Sequence, residues 1–331
     1  MNFNTVYYEP DSLTYPLGQK LKADFSHLPW IPIKSHNRIE EMQKKSNAEF
    51  YKMKSYLIIG TRKTHRYVEN AKISDYLVPF TSSGCTAACL YCYLVCNYNK
   101  CSYLRLFVNR EQMMDKLLKT SYQYSHPCTF EIGSNSDLIL ENTITQNLQW
   151  IIPYFAKEGR GNITFPTKFT MVEPLLPLDH QGKTIFRMSV NPSSIIDQIE
   201  IGTASLSKRI QAINSMCEAG YPTGILIAPV ILTEDYKQLY EELLITLEET
   251  LTEKTKKQLF IEVIFMTYSF IHRAINQEAF PNRPDLYHKE LMTGRGRGRY
   301  CYRPEARAEG EIFIKDYIKK YLPEAHLVYI S

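Results

Sequence analysis

The sequence predicts an α/β protein built on a parallel sheet, and three observations carry that prediction. Short apolar runs recur at 76–80 (YLVPF), 104–108 (LRLFV), 128–132 (CTFEI), 162–165 (NITF), 184–190 (TIFRMSV), 223–228 (TGILIA) and 259–265 (LFIEVIF). Most are separated by stretches of helical length, such as 111–120, 206–219 and 235–250, the second closed by Gly220 as a helix stop. The chain has 331 residues, 44% of them hydrophobic, enough for one large α/β domain with additions or for two smaller ones. Strands alternating with helices make βα units. In barrels of such units, reactive groups sit on the loops that follow the strands.

Before this series, residues 39–54 read as a charged amphipathic helix. Residues 56–59 form an apolar strand ending at Gly60, and a basic knot of Arg62, Lys63, His65 and Arg66 follows. After residue 266 the alternation fades, and Pro281 and Pro284 mark a loop. Residues 293–299 spell TGRGRGR, with Tyr300, Cys301 and Tyr302 next. Gly294, Gly296 and Gly298 permit a tight turn, so this segment is expected to be a basic hairpin, followed by a helix at 309–321. The expected organisation is an N-terminal extension over 1–74, the βα region over 75–265 and the hairpin and helix over 266–331.

No internal repeat or low-complexity tract is present. The longest apolar stretch, 224–232, contains a proline and is too short to cross a bilayer. The first residues lack the basic start and apolar run of a secretory signal. These features lead us to expect a soluble intracellular protein without a membrane partner. Eight cysteines in a reducing compartment argue against a disulfide framework, and the five between Cys85 and Cys101 point to a metal centre. Net charge is only +4, but Arg295, Arg297, Arg299, Arg303 and Arg307 are opposed locally by Glu305 alone.

Cys85, Cys89 and Cys92 follow the 76–80 strand, with Gly84 just before them. Three thiolates suit a [4Fe-4S] cluster that leaves one iron without a protein ligand. That iron can chelate the amino and carboxylate groups of S-adenosyl-L-methionine (SAM), whose radical chemistry the protein then positions. Zinc is the competing reading, since Cys96 or Cys101 could supply a fourth thiolate.

Nine segments add a resemblance: KSNAEFY (45–51), IIGTRK (58–63), SDYLVPF (74–80), CLYCYL (89–94), LRLFVN (104–109), FEIGSNSD (130–137), HQGKT (180–184), RMSVN (187–191) and AGYPTGILIAP (219–229). Across most of the chain, from about Arg38 to the C-terminal hairpin, the sequence resembles the spore photoproduct lyase family of radical SAM DNA-repair enzymes. The resemblance implies a partial (β/α)6 TIM-type barrel over the βα region, with a DNA-contacting hairpin. It implies UV-damaged DNA carrying 5-thyminyl-5,6-dihydrothymine as substrate. A deoxyadenosyl radical would remove a ring hydrogen, the methylene bridge would break, and a hydrogen atom would return to the remaining thymine radical. It further implies an electron donor such as flavodoxin or ferredoxin, a monomer, and a cytoplasmic or spore-core location. By alignment, Ser136, Lys168, Ser189 and Ala228 fall at SAM contacts, and Tyr91 and Tyr93 match family tyrosines, Tyr93 as a hydrogen-atom relay.

The chain departs from the family where the hydrogen-donating cysteine stands, because Ser134 occupies that position. A serine O–H bond is much stronger than a thiol S–H bond, which makes Ser134 a poor donor. Another thiol (Cys128, Cys96 or Cys101), Tyr93 or an external thiol would have to serve, or the chain acts on a different substrate. Cys128 lies six residues upstream, about 20 Å along a strand at ~3.3 Å per residue, which makes it a weak substitute. In the hairpin, Arg295, Arg297 and Arg299 are expected on DNA phosphates, with Tyr300 and Tyr302 stacking on bases or wedging beside an everted lesion. Arg62, Lys63 and Arg66 would extend that surface.

Overall fold

Buried parallel strands carry near-continuous apolar sequence, and the computed structural model, which describes residues 2–97 and 103–331, puts such strands in both of its compact units. The first unit comprises Met1–Ala87, Leu94–Phe165 and Met171–Ile185; the second comprises Ala88–Tyr93, Pro166–Thr170 and Phe186–Ser331.

In the first unit β1 (Thr5–Tyr8) lies between β2 (Trp30–Pro32) and β3 (Tyr56–Gly60), parallel to both. The short strands β4 (Val68–Glu69), β5 (Tyr76–Leu77) and β6 (Ser82–Ser83) precede β7 (Leu104–Phe107). β7 pairs with β3 in parallel and with β6 antiparallel, closing a five-stranded sheet. This sheet takes in β7 and so does not end near residue 74. Leu57, Ile59, Leu104 and Leu106 pack its core against Leu17 and Leu21 of α1 (Pro16–Asp24). β8 (Thr129–Glu131) pairs in parallel with β5 and with the start of β9 (Asn162–Thr167).

The helix expected over 39–54 is two short ones, α2 (Glu40–Gln43) and α3 (Phe50–Met53), joined through a 3-10 turn at Asn47–Glu49. Ser46 and Glu49 form a reciprocal capping box that restarts the chain, and the Glu49 carboxylate accepts from the Ser46 N–H at 3.0 Å. A further short helix, α4 (Leu94–Asn97), leads to α5 (Arg110–Ser121), α6 (Leu138–Thr145) and α7 (Asn147–Glu158).

The second unit alternates β10 (Thr184–Val190, in this unit from Phe186), α8 (Ser193–Ile199), α9 (Leu206–Glu218), β11 (Thr223–Val230), α10 (Tyr236–Thr250), α11 (Glu253–Gln258) and β12 (Phe260–Phe265). Gly220 adopts φ 89°, the left-handed conformation that ends α9, as its position in sequence predicts. Gly224 admits the neighbouring strand, since a Cβ there would stand 2.2 Å from the Phe260 ring. β13 (Thr267–Ser269) leads into α12 (Phe270–Ala279), and β14 (Met292–Gly294) and β15 (Arg299–Tyr302) make the expected hairpin, with β15 between β13 and β14. The last helix, α13 (Pro304–Tyr321), starts earlier than expected because Pro304 suits the first helical turn. β16 (His326–Ile330) then joins β12 in parallel. Among the described residues, no helix is long and apolar enough to cross a membrane.

Candidate active site

The cysteine loop starts in the first unit. Gly84 turns the chain with φ 74°, and its N–H donates to the Asn135 carbonyl at 2.7 Å. The next carbonyl, that of Cys85, accepts from the buried Lys54 ammonium at 3.0 Å. Ser136, expected at SAM, lies in the same unit, where its hydroxyl hydrogen-bonds that of Ser82 at 2.7 Å. Ser82 also bonds Glu141, whose carboxyl burial pushes upward even though Ser82, Asn147, Thr81 and Thr145 all donate to it.

Cys89 and Cys92 belong to the second unit. There the Ala88 N–H donates to Ile201 at 2.9 Å, the Leu90 N–H to Ile199 at 3.0 Å and the Cys92 N–H to Cys89 at 3.0 Å. Cys85, Cys89 and Cys92 are all half-buried thiols. Among the described residues no three His, Cys, Asp or Glu side chains are gathered around a single-ion position. Cys101 and the Cys96 side chain lie outside the described residues.

Lys168, Ser189 and Ala228 converge in the second unit. The Lys168 ammonium donates to the Ser189 hydroxyl and to the Ala228 carbonyl, the latter at 2.9 Å, and Ser189 donates to that same carbonyl at 2.9 Å. The local reason is sequence: the β11–β12 register slips between Ile227 and Val230, where Pro229 has no N–H to pair. Lys168 also stands 3.3 Å from the Glu200 carboxylate and 5.6 Å from the centre of the Tyr91 ring.

Glu200 is the functional-region residue that sequence reasoning missed, and nothing in its spacing marks it. It is 1% exposed and accepts from Tyr91, from Asn191 at 2.8 Å and from Arg209 at 2.6 Å. Burial works to raise its carboxyl, but the Lys168 and Arg209 charges with the Tyr91 and Asn191 hydrogen bonds hold it at about 2. Burial and the Glu200 charge in turn push the Tyr91 phenol well above its ordinary range. The two tyrosines flanking Cys92 therefore differ: Tyr91 is tied into a buried network, whereas Tyr93 is 54% exposed.

Ser134 is half-buried on the loop after β8. Gly133 lets that loop hug β9, since a Cβ there would stand 2.7 Å from the Phe165 Cβ. Cys128 is buried before the start of β8, its thiol pushed up by burial and set 3.6 Å from the His126 carbonyl.

In the hairpin Arg295, Arg297 and Arg299 are exposed around a turn in which Gly296, Arg297 and Gly298 all have positive φ. Tyr300 is half-buried against Tyr287, with ring centres 4.6 Å apart. The stacking role expected of Tyr302 is corrected: it is 3% exposed, packs edge-on against Phe265, and accepts from the Leu232 N–H at 2.9 Å. Alternation along β15 turns it into the core. Arg62 is likewise engaged within its own unit, donating to the Phe80 carbonyl at 2.7 Å and lying over the Phe107 ring, whereas Lys63 and Arg66 are exposed.

Comparison with known proteins matches the family model "Spore photoproduct lyase" to residues 1–331. The spore photoproduct lyase of Bacillus subtilis is 31% identical over 98% of this chain and 97% of its own length. That of a Geobacillus species is 30% identical, covering 98% of both chains. A solved spore photoproduct lyase complexed with dinucleoside spore photoproduct superimposes with a TM-score of 0.92 at 28% identity, over 99% of each chain. A variant with bound AdoMet and dinucleoside spore photoproduct gives 0.91 at 28% identity, again over 99% of each. The α/β fold expected from the sequence is the fold of these structures, and the chain belongs to the spore photoproduct lyase family.

Proposed function

We propose that this chain is a radical SAM lyase that repairs 5-thyminyl-5,6-dihydrothymine in UV-damaged DNA. The observation that carries the reading is the convergence of Lys168, Ser189 and Ala228 beside Tyr91, in the unit that also holds Cys89 and Cys92. The donor set fits the implied cluster, because soft, half-buried thiols are what iron–sulfur centres require. Bound together, a [4Fe-4S] cluster and SAM supply a 5′-deoxyadenosyl radical by one-electron cleavage of the sulfonium, given an external reductant such as flavodoxin or ferredoxin.

The chain's own residues bind and orient. Cys85, Cys89 and Cys92 hold the cluster. Lys168 meets the SAM carboxylate or ribose, Ser189 the ribose, and Ser136 and the Ala228 carbonyl complete the contacts. Tyr91 is a positioning residue fixed by Glu200. Tyr93, 54% exposed, hands a hydrogen atom to the product radical, a task Ser134 performs poorly, and the tyrosyl radical so formed takes an electron from the external reductant and a proton from solvent to restore the phenol. Arg295, Arg297 and Arg299 pair with phosphates, and Tyr300 stands beside the lesion.

Ser134 favours one second reading, a radical SAM enzyme of the same family acting on another substrate. Anaerobic reconstitution separates the two. The protein is expected to hold iron and sulfide, to form 5′-deoxyadenosine when reduced with SAM, and to restore the two thymines of the dinucleotide lesion. SAM cleavage without restored thymines selects the second reading. Zinc in place of iron and sulfide overturns both.

A further inference from the structure

We infer that His272 and Asn276 form a clamp that holds the Cys89–Cys92 segment in cluster-binding geometry, as positioning residues for the ligand loop. The inference rests on the cluster reading above and deepens it. The two side chains are four residues apart on α12, so they project from one face of the helix. His272 Nε2 lies 2.7 Å from the Cys92 carbonyl oxygen, and the Asn276 amide donates to the Leu90 carbonyl at 2.7 Å.

The hydrogen-bond inventory fixes the roles. A carbonyl only accepts, so His272 carries its proton on Nε2. Nδ1 is then an acceptor, and the Ser269 hydroxyl, 3.0 Å away, donates to it. Ser269 in turn caps α12 by accepting from the His272 N–H at 3.2 Å. The second amide hydrogen of Asn276 goes to the Tyr268 hydroxyl at 2.9 Å, and the Tyr268 ring stacks on the imidazole, 11° from parallel. His272 is 4% exposed, so these bonds are sheltered from water.

Set beside the N–H groups of Ala88, Leu90 and Cys92, which also have backbone partners, the clamp accounts for most polar backbone groups of the segment. The clamp is itself seated on the basic hairpin's sheet, where Tyr268 pairs with Tyr300 and Ser269 with Arg299. Partners that orient metal ligands from behind usually matter tenfold or more for metal retention.

The test uses the full chain, reconstituted anaerobically, with His272→Phe, His272→Gln and Asn276→Ala. Phenylalanine keeps the ring stack on Tyr268 and removes the donor; glutamine restores an N–H donor near the Nε2 position. The readouts are iron and sulfide content, the rate of cluster loss to a chelator, and the electron paramagnetic resonance spectrum of the reduced protein with and without SAM. His272→Phe and Asn276→Ala are expected to lose cluster roughly tenfold faster and to show altered spectra. His272→Gln is expected to approach wild type, and the apo-proteins to melt together. A loaded wild type whose variants match it in retention and spectrum overturns the clamp alone, as does failure of His272→Gln to recover while its apo-protein melts normally. Should His272→Phe not fold, Asn276→Ala decides by the same readouts. A wild type that takes up no iron and sulfide overturns the cluster reading and the clamp with it.

Discussion

The Tyr91 hydroxyl donates to the Glu200 carboxylate, which also binds Arg209 at 2.6 Å and stands 3.3 Å from Lys168. One tyrosine beside a proposed cluster cysteine is thereby joined to the lysine of the proposed SAM site through a single buried acid. Buried charges persist when they are paired and hydrogen-bonded, and Glu200 is both.

That linkage predicts a division of labour between the two tyrosines. Tyr91→Phe removes a hydrogen bond to a buried carboxylate and is expected to cost ~1–3 kcal/mol of stability, measured by urea unfolding. Tyr93→Phe is expected to cost less stability than Tyr91→Phe, because Tyr93 is 54% exposed. It should instead lower the amount of lesion restored to thymines per SAM cleaved. Unchanged product yield in Tyr93→Phe would remove Tyr93 from hydrogen transfer.

The pH dependence of folding follows from the same acid. Glu200 is lowered in the folded chain from 4.5 to about 2, so its carboxylate contributes stability above pH 4.5. That contribution is lost as pH falls through about 2. Glu9 behaves alike: burial works to raise it, but hydrogen bonds from His36 and Thr61 lower it from 4.5 to about 2. Melting temperature should therefore drop between neutral pH and pH 3. Glu200→Gln should flatten part of that drop. An equally steep profile in the variant counts against the assignment.

Lys168→Met and Ser189→Ala are expected to weaken SAM binding without changing iron or sulfide content. A neutral hydrogen bond contributes ~0.5–1.5 kcal/mol, so Ser189→Ala should raise the dissociation constant roughly two- to tenfold. Lys168→Met, which removes a charge, should do more. Equilibrium dialysis with labelled SAM checks both.

The hairpin arginines predict a salt-dependent grip on DNA. Replacing Arg295, Arg297 or Arg299 with alanine should each reduce the slope of log affinity against log salt by about one. Tyr302→Ala should act differently, costing ~3–5 kcal/mol of stability as a buried aromatic and a lost partner for Leu232. Tyr300→Ala should weaken lesion binding while leaving the fold intact.

Ser134→Cys places a thiol where the sequence resemblance puts a hydrogen-donating cysteine. The variant is expected to restore more lesion to thymines per SAM cleaved than wild type, read by chromatography of the reaction products. Equal yields would show that hydrogen return in this chain bypasses position 134.

The sequence by itself determined the alternation of strands and helices from β8 onward, the close spacing of Cys85, Cys89 and Cys92, and the arginine-bearing turn. Each is written in residues near one another: period and run length mark β10 and α9, and glycines mark α9's end and the hairpin turn. Tertiary structure alone decided the N-terminal sheet, in which β1, β3 and β7 pair although about fifty residues separate each from the next. It broke the 39–54 helix at Ser46, sent Tyr302 inward while Arg299 stayed exposed, and placed Glu200 between Tyr91 and Lys168. The reason is physical. Local propensity is encoded along the chain, whereas a buried acid, a core tyrosine or a central strand is defined by partners that only packing brings within a few ångströms.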